Sequence, residues 1–367
     1  MSAALDTVVV GAGVVGLACA AALARAGREV VVLESGERAG EGTTSRNSGV
    51  IHAGLYYAPG SLKAELCVRG RHLLYEYAAA HGVPHRRCGK YVVAVDDDEL
   101  PALEALHRNA SANGVEGLER IDAPLVAQRL AGVRATAALY SPVSGIIDVP
   151  SLVTALIAEL ERHDGQLVKR AEVVRARVTG DGLALELGDG THARCRRFVN
   201  AAGLTAHRLA AAIEGLPNGA VPVVRYARGQ YFEYRGQAPW PWLLYPLPQP
   251  GGLGTHLTLD LAGGARFGPD VQWCDAPDYR PDPARRDAFA REIARYLPDI
   301  DPARLVPGYV GVRPKLHGPD EAAADFRIDG PERHGVAGLV QLFGIESPGL
   351  TAALAIGERV SACLADR

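Results

Sequence analysis

Residues 8–16 read Val8-Val9-Val10-Gly11-Ala12-Gly13-Val14-Val15-Gly16, and this stretch decides the fold. The apolar run at 7–10 reads as a short buried strand, and a glycine-rich turn follows it. Residues 14–26 read as a helix, closed by Gly27 in the position after its last turn. Residues 29–33 form a second apolar strand with Glu34 at its end. A strand, a crossover helix and a second strand in this order are what a parallel sheet requires. Each glycine has a separate reason. Gly11 permits the tight turn, Gly13 lets the backbone approach a pyrophosphate, and Gly16 lets the helix pack closely on the sheet. The helix N-terminus offers free N–H groups and a positive dipole end to phosphates. Glu34 lies 18 residues after Gly16, where an acid hydrogen-bonds a ribose hydroxyl. An acid there also argues against a 2′-phosphate, and so against NADP.

A chain of 367 residues predicts two domains. With 48% hydrophobic and 22% charged residues it has the composition of a globular protein with a sizeable core. A net charge of −3 supplies no basic field for nucleic acid, so no nucleic-acid partner is expected. None of the six cysteines forms a C-x-x-C pair, so neither a metal site nor a redox dithiol is signalled. Their spacing does not read as a disulfide framework, which favours a reducing compartment. The expected location is cytoplasmic, with peripheral attachment to a membrane as the alternative. Residues 8–26 are almost uncharged, but they hold Gly11, Gly13, Gly16 and Arg25 and lack a basic leader. A strand and a buried helix explain them better than a membrane span, and no integral membrane segment is expected.

Further along, residues 61–80 read as an amphipathic helix, 90–95 as a strand, and 96–113 and 150–163 as helices. Alternating strands fill 173–195, with turns at Gly180-Asp181-Gly182 and Gly188-Asp189-Gly190. Residues 198–203 are a buried strand running into a glycine. Residues 221–269 are rich in Tyr, Trp and Pro and read as antiparallel sheet, with a helix at 283–296 after them. Residues 336–342 form a strand, followed by a glycine-rich turn and a helix from about 348. The expected fold class is α/β, α+β overall. A Rossmann-type domain with a parallel sheet, at 1–85, 143–216 and 306–367, interleaves with a smaller antiparallel-sheet substrate domain at 86–142 and 217–305.

The fingerprint alone does not separate FAD from NAD. The following loop does more: Gly42-Thr43-Thr44-Ser45-Arg46-Asn47-Ser48-Gly49-Val50-Ile51-His52-Ala53-Gly54. Its hydroxyls and glycines can reach back over a second phosphate and then run beneath a flavin ring.

The stretch Ser45-Arg46-Asn47-Ser48-Gly49-Val50-Ile51-His52-Ala53-Gly54-Leu55-Tyr56-Tyr57, with Pro59-Gly60-Ser61-Leu62-Lys63-Ala64, closely resembles the L-2-hydroxyglutarate dehydrogenase/oxidase group. That group sits within the D-amino-acid-oxidase-like flavoprotein family. The resemblance continues at Cys88-Gly89-Lys90, Arg228-Gly229-Gln230-Tyr231, Tyr245-Pro246-Leu247-Pro248, Gly254-Thr255-His256-Leu257-Thr258 and Gly311-Val312-Arg313-Pro314. It ends at Gly344-Ile345-Glu346-Ser347-Pro348-Gly349-Leu350-Thr351. One departure is Arg46, where the family often has histidine. Arginine cannot tether a flavin, so non-covalent FAD is expected.

The resemblance implies further parts. Residues 199–203, with Ala201, Ala202 and Gly203, close over the FAD. The turn from Gly344 to Thr351 lies against the pyrimidine end of the flavin. A helix beginning near Pro348 would aim its N–H groups at a flavin carbonyl. Ser35, Val173 and Arg313 complete the expected cofactor set. Arg313 is expected to hold a substrate carboxylate, for which a guanidinium fork is suited. Oxidising a 2-hydroxy acid needs hydride loss from carbon and proton loss from oxygen, so a neutral histidine is expected as base. His52 and His256 are both candidates. Tyr57, Lys63 and Tyr245 are further pocket residues. The leading expectation is oxidation of a small carboxylate-bearing 2-hydroxy acid, with a quinone, another carrier or O2 as electron acceptor. Oxidation of a D-amino acid, glycine or sarcosine is the second reading, and a non-catalytic FAD-binding protein the third.

Overall fold

The computed structural model describes residues 4–236, 238–248 and 254–365. In the strand Leu5–Val10 the side chains alternate: Val9 packs beneath helices, while Val8 and Val10 face the other way. The neighbouring strand Val30–Glu34 does the same, with Val30 and Val32 on the helical side and Leu33 opposite. Strands covered on both faces must read as continuous apolar runs, as these do. The parallel part of the first sheet runs in the order Gln166–Lys169, Val30–Glu34, Leu5–Val10, His192–Asn200, Leu339–Phe343. Arg327–Asp329 adds an antiparallel edge.

The helices Val14–Arg25, Leu62–Ala80, Val149–Arg162 and Gly349–Cys363 share one core with the first face. Ten of the twelve residues of Val14–Arg25 are buried, which is why the segment is apolar all round. The helix Gly349–Cys363 crosses it closely: a side chain at Gly357 would begin 2.5 Å from the carbonyl oxygen of Ala18. The second face is covered by a meander of Val173–Thr179, Gly182–Leu187 and the first half of His192–Asn200. The segment 192–200, expected as two short pieces, is one strand that serves both meander and parallel sheet.

A second large sheet has the order Gln272–Cys274, Arg225–Tyr234, Ala265–Phe267, Leu257–Leu259, Leu243–Pro246, Lys90–Ala94, Ala137–Ser141, Glu119–Asp122. The helices Leu100–Ala112 and Arg286–Ala294 pack on it. Two expectations change here. The strand Leu305–Lys315 pairs along most of its length with Arg225–Tyr234, so residues 306–315 belong to this sheet and not to the first. The pair Leu243–Pro246 and Lys90–Ala94 is parallel. These two strands lie far apart in sequence, so no hairpin dictates their direction. No helix among the described residues is long and apolar enough to cross a membrane.

Candidate functional site

A cavity of about 1030 Å³ lies between the carboxyl ends of the parallel strands and the strands Arg225–Tyr234 and Leu305–Lys315. Small-molecule pockets usually span roughly 300–1,000 Å³, so there is room for a long cofactor and a small substrate. Gly11, Gly13, Val14, Val15 and Gly16 line one end. Gly11 has φ +100°, and a side chain there would begin 2.5 Å from the carbonyl oxygen of Ala201. Only glycine satisfies both conditions. Gly13 begins the helix Val14–Arg25, and the Val14 N–H donates to Thr44 Oγ1 at 3.0 Å. The Glu34 carboxylate is fixed by N–H groups of Ala12 and Gly36, each at 2.7 Å, and it faces the cavity beside Ser35. A helix N-terminus with no side chain at Gly13, followed by an oriented carboxylate, fits a dinucleotide's diphosphate and ribose.

The loop after the second strand also lines the cavity, through Thr43, Thr44, Arg46, Asn47, Ser48 and Val50. Asn47 holds it in shape, donating to the Thr44 carbonyl at 2.6 Å and accepting the Gly49 N–H at 2.7 Å. Ser48 Oγ lies 2.9 Å from the Tyr231 hydroxyl, and the Arg46 guanidinium sits 4.5 Å from the centre of the Tyr279 ring. Val173, Ala201, Ala202 and Gly203 line the far wall, and Ile345, Glu346, Ser347, Pro348, Gly349 and Leu350 the near one.

Four expected cofactor residues do not line the cavity. Ser45 turns its hydroxyl to the carbonyls of Glu41 and Gly42. Gly49 faces the Ile147 carbonyl, and Gly344 faces Leu316. Thr351 is fully buried, and its hydroxyl accepts the His52 N–H at 2.9 Å.

Another part of the cavity wall is built on the strand Leu305–Lys315. Strand periodicity buries Val310, Val312 and Pro314 and turns Gly311, Arg313 and Lys315 to the cavity. Among the described residues Arg313 makes no ion pair or hydrogen bond, so its fork is available. Lys63 and Lys315 are committed to Glu346, with Nζ–O distances of 3.0 and 2.7 Å. Lys63 also donates to the Ala324 carbonyl at 2.8 Å. Burial alone pushes the Glu346 carboxyl up, but Lys63, Lys315 and Arg313 outweigh it and hold the group below its ordinary value. Lys63, expected as a pocket residue, therefore borders the cavity as half of an ion pair.

His52 lines the cavity with Nε2 3.3 Å from Ser347 Oγ. Burial first, then the charge on Lys90 and the neighbouring His256, hold its pKa well below the usual histidine value. His256 lies flat on Tyr245, with ring centres 3.7 Å apart and planes 7° from parallel. Tyr57 lines the same end. The structure thus brings His52, Tyr57, Tyr245, His256 and Arg313 into one chamber.

Lys315, Tyr231 and Tyr56 also line the cavity, and none was expected there from the sequence. Lys315 stands two residues after Arg313, and strand periodicity alone places it on the same face. Tyr56 precedes Tyr57 in the same motif, and its buried hydroxyl has no hydrogen-bond partner among the described residues. Nothing local in the sequence marks that hydroxyl as unpaired.

A family described as FAD dependent oxidoreductase, DAO, matches residues 6–363. The mitochondrial L-2-hydroxyglutarate dehydrogenase of Arabidopsis thaliana is 41% identical over 97% of this chain and 83% of that protein. The mouse, Mus musculus, mitochondrial protein of the same name is 29% identical over 96% of this chain and 86% of its own length. Among solved structures, FAD-bound L-alpha-glycerophosphate oxidase from Mycoplasma pneumoniae superposes with a TM-score of 0.88. It is 24% identical and covers 99% of this chain and 95% of its own, a likeness of fold.

Proposed function

Since the chain belongs to the FAD dependent oxidoreductase, or DAO, family, we propose that it is an FAD-dependent dehydrogenase that oxidises L-2-hydroxyglutarate to the 2-oxo acid. The observation that carries the substrate class is Arg313, a guanidinium turned into the cavity with no ion-pair or hydrogen-bond partner among the described residues. A half-buried fork without an anion calls for a carboxylate, and a 2-hydroxy acid brings one.

Bound in the cavity, FAD supplies the two-electron sink of the reaction. Arg313 holds the carboxylate next to the carbinol carbon. His52 accepts the hydroxyl proton at Nε2, which its neutral state leaves able to bind one. His256 and Tyr245 form the wall facing His52. As the C–H bond breaks, its electron pair leaves the carbon and the C–O bond becomes a carbonyl. Non-covalent attachment fits Arg46 at the position where a tether would stand. The electrons then pass to a quinone, another carrier or O2. The six cysteines are free thiols, which supports a reducing compartment such as the cytoplasm.

The decisive experiment is anaerobic bleaching of the bound flavin by a panel of 2-hydroxy acids, D-amino acids, glycine and sarcosine. Fastest bleaching by L-2-hydroxyglutarate supports the reading. Faster bleaching by an amino acid overturns it in favour of amine oxidation.

A further inference from the structure

Lys90 stands in the motif Cys88-Gly89-Lys90, and neither the cofactor nor the substrate account uses it. It is 1% exposed and does not line the cavity. Among the described residues it has no ion pair and no hydrogen bond. Its contacts are aromatic: Nζ lies 4.2 Å from the centre of the Tyr245 ring and 6.0 Å from that of Tyr56. His256 occupies one face of Tyr245 at 3.7 Å and leaves no room there for an ammonium, so Lys90 covers the other. The order from protein interior to cavity is Lys90, Tyr245, His256.

Sealing an ammonium behind a ring is among the costlier things a fold can do. An apolar side chain of similar length would fill the space without that cost, so the charge needs a reason. We propose that Lys90 is a positioning residue for the oxidation: it presses Tyr245 onto His256 and places a positive charge behind the His52–His256 pair.

The neighbouring groups leave that charge uncompensated. Cys67 and Cys88 are thiols whose pKa burial raises, Cys67 to about 12. Burial likewise pushes up the hydroxyls of Tyr56 and Tyr245. None of the four is an anion at neutral pH. Ser347, beside His52 Nε2, is neutral, and Glu346 is committed to Lys63 and Lys315. Burial lowers Lys90 itself to about 8, which leaves it charged at neutral pH. A cation behind the His52–His256 pair opposes protonation of His52 and keeps a base free for the substrate hydroxyl. An ammonium over the face of Tyr245 also fixes the tilt of that ring, and with it the plane of His256.

The inference rests on the proposed oxidation. Its test is the pH dependence of anaerobic flavin reduction by L-2-hydroxyglutarate, in FAD-loaded wild type, Lys90→Met and Lys90→Arg. Losing the cation makes protonation of the base easier. The acidic limb of Lys90→Met should therefore move to higher pH, by at least about half a unit. Lys90→Arg keeps the charge, and its limb should stay with that of wild type. A limb that Lys90→Met leaves in place, with flavin content normal, overturns the inference alone. If Lys90→Met and Lys90→Gln both lose flavin while Lys90→Arg keeps it, the charge serves the fold and the inference is likewise overturned. Wild-type flavin that no 2-hydroxy acid bleaches defeats the proposed oxidation itself, and this inference with it.

Discussion

The backbone N–H of His52 donates to the side chain of Thr351 at 2.9 Å, across 299 residues of sequence. Thr351 Oγ1 also donates to the Val50 carbonyl at 3.3 Å. One buried hydroxyl therefore ties the loop that carries the candidate base to the first turn of the helix Gly349–Cys363. Thr351→Val keeps the shape and leaves an N–H and a carbonyl unpaired. An unsatisfied buried group costs about 1–3 kcal/mol. The melting temperature should drop by a few degrees, and flavin reduction should slow as His52 loses its anchor. An unchanged melting curve would mean that water or a shifted loop replaces the bond.

Gly13→Val should largely abolish FAD retention and leave the fold in place. Gly13 has φ −71°, which any residue adopts, and a side chain would meet only Thr44 Oγ1, at 3.1 Å. The obstruction falls on the diphosphate and not on the protein. Flavin absorbance per mole of purified variant, read beside its circular dichroism, checks this. A yellow, fully loaded variant would refute the placement. Wild-type FAD should be released by heat or acid, as Arg46 cannot tether it.

Arg313→Ala should leave flavin content near normal and reduce kcat/KM for anaerobic reduction. Removing one partner of a buried charge pair costs about 2–5 kcal/mol, roughly 30-fold to several thousand-fold. Arg313→Lys should recover only part, because an ammonium keeps the charge and loses the fork. A loss below about threefold would move the carboxylate site elsewhere in the chamber.

The pH profile should show activity persisting into mild acid. His52 has its pKa held well below the usual 6.5, so the neutral base survives below that value. The same shift bears on stability. Below pH 6.5 the unfolded chain takes up a proton that the folded chain refuses, so stability falls as pH drops toward the folded value. His52→Gln should remove that part of the acid sensitivity, measured by urea unfolding between about pH 5 and 7. An acid limb at or above 6.5 in the wild type would exclude His52 as the base.

Lys90→Met should raise the melting temperature at pH 7. Lys90 has its folded value lowered from 10.5 to about 8, so charge burial opposes folding throughout the range below 8. Above 8 the folded form gives up its proton first and the penalty shrinks, and the variant's advantage should shrink with it. A less stable variant at neutral pH would show that the ammonium contributes more packing than its burial costs.

The first sheet was largely legible because its signals are local. The run Val8-Val9-Val10, the three glycines and Glu34 act within one βαβ unit, and Val10, the glycines and Glu34 line the cavity. Arg313 and His52 were expected as site residues, and both line the cavity. What the sequence did not disclose depends on register between distant segments. The pairing of Leu305–Lys315 with Arg225–Tyr234 left no local mark, so residues 306–315 were expected in the first domain. The commitment of Lys63 to Glu346 spans 283 residues. Tyr245 and His256 were each noted, but their stacking depends on two strands meeting beside Lys90–Ala94. A pattern of side chains reports which face is buried, not which partner it finds.

The helix Gly349–Cys363 lies against Val14–Arg25 and Leu62–Ala80, and the strand before it completes the parallel sheet beside His192–Asn200. A ribosome makes these pieces in the opposite order of need. The glycine turn emerges early, while the segment that closes the cavity emerges after everything it packs upon. A nascent chain stalled before Leu339 carries the phosphate cradle and Glu34 but lacks the wall from Ile345 to Leu350. Cofactor retention should therefore require this helix, and a product terminated before Leu339 should accumulate without colour.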